Sequence, residues 1–255
     1  MNTLQISYQQ SCNTAAILPD TDVVLTATVE DFIISLRDQE PLFNTLSIPE
    51  QGTDLDHGQL PAVIFSGTYT MRSATSLAEW NGILTLDIDA EKPLKHEQPI
   101  GYFSPIIDRA IEALREVNDT TTDIRFSPFA WCRSKSGKGV RVLYHFNTMY
   151  HVYADVAHYY RQLYYAVGNL VDAIFYNEGI NALAVDYQAA DISHPFAIVQ
   201  DADAEILGIT VDDLLLHKFL TSYTTQKKQG IAKNSGNITH TVDVLAFQQI
   251  GRAHV

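Results

Sequence analysis

Gly82-Ile83-Leu84-Thr85-Leu86-Asp87-Ile88-Asp89 decides the fold of this chain. Aliphatic and β-branched residues followed by a charged segment read as a buried strand with a loop after it. Side chains alternate faces along a strand, so Asp87 and Asp89 point the same way, about 7 Å apart. Two carboxylates on one face at the end of a core strand repel each other unless a cation lies between them. An ordinary solvated strand end is the plainer reading of such a pair taken alone. The neighbouring motifs shift the balance toward a metal site.

Outward from that strand, Pro61-Ala62-Val63-Ile64-Phe65 reads as another, ended by Ser66-Gly67. Residues 3–8 suit a short strand. A helix is expected from Thr28, which can cap it, with Phe32, Ile33 and Leu36 on its apolar face and Pro41 as its stop. Residues 44–60 read as loop, and Glu91 to Gln98 as a charged loop. Pro105, placed in a first turn, leads a helix with Ile106, Ile107, Ala110, Ile111 and Leu114 on one side. Residues 126–131 and 140–146 are expected as strands around a loop from Arg133 to Gly139. A long Tyr- and Ala-rich helix follows over about Tyr153 to Phe175. Ala182 to Asp186 and Phe196 to Val199 read as short strands, and Val211 to Phe219 as a helix. Strands and helices interleave with hairpin-like pairs, so the fold class is α+β rather than a doubly wound parallel sheet.

The chain has 255 residues, enough for one large domain or a domain with a tail, and 46% of them are hydrophobic. Its two cysteines, Cys12 and Cys132, lack CxxC spacing, which argues against a disulfide framework and a zinc site and suits a reducing compartment. No apolar stretch approaches the roughly 20 residues that span a bilayer, and Met1 to Tyr8 has no signal pattern. A cytoplasmic protein without membrane contact is expected. The net charge of −13, from 17 basic and 30 acidic residues, is unlike the basic footprint of most nucleic-acid binders. Basic residues nevertheless cluster: Arg125, Arg133, Lys135, Lys138 and Arg141 in one stretch, Lys227, Lys228 and Lys233 in another.

Two further motifs matter. Ser134-Lys135-Ser136-Gly137-Lys138-Gly139 has two glycines that allow a tight turn and approach to an anion. Its serines and Lys138 add donors and charge. It is not a Walker A loop, which leads into a helix. Alternation along the exit strand puts Arg141, Leu143 and His145 on one face. A Gly-rich hairpin with solvated basic residues is the alternative. The third motif, Ala184-Val185-Asp186, again ends a short apolar strand in an acid.

These residues carry a resemblance. Leu60-Pro61-Ala62-Val63-Ile64-Phe65-Ser66-Gly67-Thr68-Tyr69 and Gly82–Asp89, then the Ser-x-Ser-Gly-x-Gly loop and Asp186 in order, resemble the VirE N-terminal domain family over roughly residues 55–205. That family is a mobile-element and phage branch of the archaeo-eukaryotic primase (primase-polymerase) superfamily, often found ahead of a helicase-like domain. The resemblance implies an RRM-like sheet core with packed helices over residues 1–220. It implies Asp87, Asp89 and Asp186 as catalytic ligands of Mg²⁺ or Mn²⁺. It implies Ser134, Ser136, Lys138 and Arg141 as triphosphate contacts. His145, which shares a face with Arg141, is a candidate nucleotide contact, with a surface or satisfied core histidine as the plainer reading. The implied chemistry is two-metal nucleotidyl transfer with the ions roughly 3.5–4 Å apart, and carboxylates suit such hard cations. The implied partners are nucleoside triphosphates, a single-stranded DNA template and a helicase domain in cis or trans.

The chain departs from the superfamily at Arg141, where many members have His, and at His194-Pro195, where an Arg is usual. A catalytically inactive nucleic-acid-binding or scaffold domain is therefore one alternative. A DxD glycosyltransferase and a metal-dependent nuclease are others. Tyr69, Trp80 and Trp131 are read as core, with base stacking as the second role open to them. His151 and His158 have no partner at metal-ligand spacing, and the Tyr159-Tyr160 and Tyr164-Tyr165 pairs are expected to pack the long helix on the sheet.

Residues 221–249 are polar and read as a linker toward a further C-terminal domain. The last six, Ile250-Gly251-Arg252-Ala253-His254-Val255, match the translation of a common sequencing adapter (ATC GGA AGA GCA CAC GTC, then TGA). They are expected to be an adapter-derived artefact.

Overall fold

The computed structural model describes residues 4–9, 25–38, 48–51, 53–56, 59–70, 74–115, 118–119, 124–147 and 155–211. The chain begins with β1 (Gln5–Gln9), β2 (Leu25–Thr28) and α1 (Val29–Asp38), then β3 (Ala62–Ile64), β4 (Gly67–Tyr69), β5 (Leu77–Trp80) and β6 (Ile83–Ala90). Next come α2 (Lys92–Glu97), α3 (Ile100–Arg115), β7 (Asn118–Asp119), β8 (Ile124–Arg125), β9 (Ala130–Arg133), β10 (Val140–Phe146) and α4 (Val156–Asn177). The described chain closes with β11 (Leu183–Val185), β12 (Phe196–Ala197), β13 (Glu205–Ile206) and β14 (Thr210–Val211).

The larger sheet runs β11-β6-β10-β9-β13, with antiparallel neighbours, and β14 adds a short parallel pairing at the end of β10. A second antiparallel sheet has the order β12-β3-β1-β2. β4–β5 and β7–β8 are separate antiparallel pairs. This is a mixed fold of helices and antiparallel sheets.

Alternation along β6 sorts its side chains between two cores. Leu84, Leu86, Ile88 and Ala90 pack with Phe103, Ile107 and Ile111 of α3 and Leu163 and Val167 of α4. Ile83, on the opposite face, joins Leu143, Ala130 and Cys132 against Ile6, Phe32, Val63, Phe65 and Phe196. The larger sheet thus lies between a helical layer and the second sheet with α1. Asp87 and Asp89 belong to the face toward the second sheet, at the end of β6.

Several expectations hold in detail. Thr28 caps α1, its hydroxyl accepting the Asp31 N–H at 3.0 Å. Asp155, not among those expectations, also caps its helix, α4, by accepting the His158 N–H at 2.9 Å. Tyr69, Trp80 and Trp131 are core residues. Others need correction. The segment expected as a charged loop contains α2, a short helix with Pro93 in its first turn, a position where the missing N–H costs nothing. α3 starts at Ile100, so Pro105 lies inside the helix. Its missing N–H would have served the Gly101 carbonyl, on the exposed side of the helix. The strand expected over residues 126–131 begins at Ala130. His151, the Lys227, Lys228 and Lys233 cluster, residues 212–219 of the expected helix and everything from 221 to 255 lie outside the described residues.

The paired tyrosines of α4 do more than pack. β11 covers β6 only from Ile88 to Ala90. Beyond it, the Thr85 N–H donates to the Tyr160 hydroxyl at 3.3 Å and the Asp87 N–H to the Tyr164 hydroxyl at 3.2 Å. Four residues of helix advance about 6 Å and two residues of strand about 6.8 Å, so an i, i+4 tyrosine pair matches alternate strand N–H groups.

Candidate metal and nucleotide site

Register brings the first and third acidic motifs together. Val185 stands opposite Ile88, so the next pair is Asp186 and Asp87, joined by the Asp186 N–H donating to the Asp87 carbonyl at 2.8 Å. On the other side of β6, Arg141 stands opposite Asp87, and Cys132 opposite Arg141. One row across three strands and the residue that follows β11 therefore reads Cys132, Arg141, Asp87, Asp186. Tyr164 fastens it, because its hydroxyl accepts the Asp87 N–H and donates to the Asp186 carbonyl at 2.8 Å. Tyr164→Phe leaves the Asp87 N–H without its acceptor and the Asp186 carbonyl with only the Ala189 N–H at 3.2 Å, and it is expected to cost about 1–3 kcal/mol in chemical denaturation. An unchanged midpoint would show that the hydroxyl does not hold the row.

Asp87 is the electrostatic centre. Its side chain is 17% exposed, and its Oδ1 is buried without a hydrogen-bond partner. Arg141 Nε lies 3.7 Å from that oxygen, beyond hydrogen-bonding distance. Burial pushes the Asp87 carboxyl up to about 6; Arg141 pulls it down, while the charges of Asp89 and Asp186 push it further up. Arg141, 6% exposed at its side chain, donates from Nη1 to the Ala197 carbonyl at 2.7 Å and lies over the Phe196 ring, 5.2 Å from its centroid. Cys132, next in the row, is pushed up to about 12 by burial, so its thiol stays protonated.

The other two acids are engaged. Asp89 Oδ2 accepts from the Lys95 ammonium at 2.7 Å. Asp186 Oδ1 accepts the Gln188 N–H at 2.9 Å, capping a short 3-10 turn. Among the described residues no group of three or more His, Cys, Asp or Glu side chains is gathered to hold a metal ion. The three carboxylates still share a strand end and a hard-oxygen chemistry that fits Mg²⁺ or Mn²⁺. The buried Oδ1 of Asp87, which accepts no hydrogen bond, is the observation that fits a cation.

The Ser134–Gly139 loop joins β9 to β10 and closes on itself, Ser134 N–H donating to the Gly139 carbonyl and Gly137 N–H to that of Ser134, both at 2.9 Å. Gly137 has φ +65°, and a Cβ on Gly139 would sit 2.5 Å from the Ile88 carbonyl oxygen and 2.8 Å from Asp89 Oδ1. The glycine thus lets the loop's exit pass directly against the acid pair. The loop's serines and Lys138 are engaged within the protein. The Ser134 and Ser136 hydroxyls are 3.2 Å apart. The Lys138 ammonium donates to the Lys95 and Gln98 carbonyls at 2.8 and 2.7 Å, at the C-terminal end of α2.

His145 is not brought to this group. It shares the face of Arg141 but lies four residues further along β10, about 13 Å away. It stands opposite Ile83, and its Nδ1 pairs with the Thr210 hydroxyl at 2.9 Å. Burial lowers its pKa.

Arg133 is a structural residue rather than part of a solvated basic patch. Its side chain is 5% exposed and donates to Asp203, Ser104 and Asp108, while its N–H donates to Asp201 Oδ2 at 2.6 Å. This network ties the start of the loop to α3 and to the turn before β13. Sequence patterns also miss Lys95 and the role of Ser66 and Tyr69, whose hydroxyls both donate to the Ile192 carbonyl and so anchor the segment after Asp186.

A mixed fold whose core antiparallel strand ends in paired acids, with a third acid just after the neighbouring strand, defines the class. Residues 56–205, more than half of the chain, match the family described as BT4734-like, N-terminal domain. The chain belongs to that family, in agreement with the VirE N-terminal, primase-polymerase resemblance of its motifs. Neither a curated protein nor a solved structure matches the chain. Among the described residues no helix is long and apolar enough to cross a membrane.

Proposed function

We propose that this domain performs metal-dependent nucleotidyl transfer of the primase-polymerase kind on a single-stranded DNA template. Asp87, Asp89 and Asp186 would hold Mg²⁺ or Mn²⁺. The observation that supports this most is the buried Oδ1 of Asp87, which accepts no hydrogen bond, in one row with Arg141 and Asp186. The antiparallel sheet with α3 and α4 on one face is consistent with an RRM-like core. Divalent cations, when bound, neutralise the triphosphate and activate a 3′-hydroxyl. In the transfer, the bond from that hydroxyl oxygen to the α-phosphorus would form as the bond to pyrophosphate breaks, with the hydroxyl proton passing to solvent. On the protein side, Arg141, which lies over the Phe196 ring, would steady the Asp87 carboxylate beside it, and Ser134, Ser136 and Lys138 would serve as triphosphate donors once released from their present bonds. A helicase domain in cis or trans would supply unwound template.

A second reading, a non-catalytic nucleic-acid-binding or scaffold domain, is favoured by one observation: Asp89 and Asp186 already have partners of their own. The glycosyltransferase reading has little support, since β1, β2 and β3 ahead of the acids pair antiparallel. Mn²⁺- or Mg²⁺-dependent incorporation of labelled NTPs and dNTPs on single-stranded DNA tests the proposal. Incorporation abolished by a chelator is expected. A folded protein that incorporates nothing contradicts it and favours the binding domain, and cleavage without addition favours a nuclease.

A further inference from the structure

We infer that Lys95 is a built-in occupant of the acid pair, which must leave Asp89 for a divalent cation to bind and so sets the affinity of the site. The inference rests on the metal reading proposed above. Lys95 follows Asp89 by six residues, and α2 turns it back so that its ammonium meets Asp89 Oδ2 at 2.7 Å. The two side chains are 33% and 32% exposed. Ion pairs at such partly exposed positions are weak, and a lysine stem is long enough to swing into solvent. The ammonium therefore neutralises Asp89 while the site is free of metal and gives way at little cost. A monovalent charge so placed also repels an incoming divalent ion.

The other lysine of the site controls the first. Lys138 donates to the carbonyl of Lys95 itself and to that of Gln98. These bonds hold the end of the short helix that presents Lys95. A phosphate that drew Lys138 away would release that end of α2 and with it the hold of Lys95 on Asp89. Phosphate and cation would then bind cooperatively through six residues of helix, the two lysines exchanging a protein partner for a ligand in sequence.

Mn²⁺ binding to the full chain near neutral pH, followed by the electron paramagnetic resonance signal of free Mn²⁺, tests this without any turnover. Lys95→Met keeps the stem length and helical tendency at a partly exposed position. It is expected to bind Mn²⁺ roughly three- to tenfold more tightly than wild type. Asp89→Asn, alone or with Lys95→Met, is expected to lose that binding. Equal or weaker affinity in Lys95→Met, with binding still lost in Asp89→Asn, overturns the inference and leaves the metal reading standing. Mn²⁺ binding that none of these substitutions alters, or none at all, overturns both.

Discussion

Asp87→Asn is expected to lower metal-dependent nucleotide incorporation by at least about a hundredfold and to abolish the fall in stability that the cation-free wild type shows as pH rises from about 4 to about 6. The first effect follows from removing one charge of the proposed ligand set at the centre of the row. The second follows from burial. The Asp87 carboxyl is pushed up to about 6 in the folded protein, first by desolvation and then by Asp89 and Asp186. In the unfolded chain the same group ionises near its ordinary value of about 3.9. Below that value both states hold the proton, and the stability it confers is fully present. As pH rises toward 6 the unfolded chain has released its proton and the folded one has not, so stability falls. Across that window the loss amounts to about 3 kcal/mol. Asparagine stays neutral and lacks this loss. Urea denaturation of both proteins across the window checks it: the wild-type curve should fall away from that of the variant, and parallel curves would contradict the account. An acid that destabilises its own fold when ionised is what a cation site demands.

Arg141→Met is expected to cost about 3 kcal/mol near neutral pH, because removing one partner of a buried charged pair leaves the other uncompensated. The guanidinium, beside the Phe196 ring and bonded to the Ala197 carbonyl, also links β10 to β12 of the second sheet. Arg141 is the first of the groups that draw the Asp87 carboxyl down, so the variant should raise that carboxyl above its present value of about 6. The loss should shrink in acid, where Asp87 is protonated in both states. Chemical denaturation at two pH values measures both parts. A loss independent of pH would mean that Arg141 serves only as a strut between the sheets.

What can be read from the sequence is what repeats along one element. The alternation in β6 locates Asp87 and Asp89 on one face, and the same rule puts Arg141 and His145 on one face of β10. The rule gives the face and not the end, and so it groups His145 with residues that it stands well away from. The Lys92–Glu97 run reads as a loop because a six-residue helix has no room for an apolar stripe. Lys95 is invisible as a partner of Asp89 for the same reason. The second sheet depends on pairings between residues far apart in the chain, such as Ser7 with Ile64 and Phe196 with Val63, and β12, β13 and β14 are two residues each. Period-two patterns cannot show in strands so short. The α4 tyrosines are legible as a packing face, but their use as acceptors for the uncovered edge of β6 depends on how far β11 extends.

The most direct measurement is the titration of the Asp87 carboxyl carbon by NMR, with and without Mg²⁺. Without the ion, the structure places its midpoint at about 6. With saturating Mg²⁺ the account predicts a midpoint at or below the ordinary carboxylate value of about 3.9, since a bound cation favours the carboxylate. A midpoint that Mg²⁺ leaves unchanged would contradict the assignment of this row as a metal site.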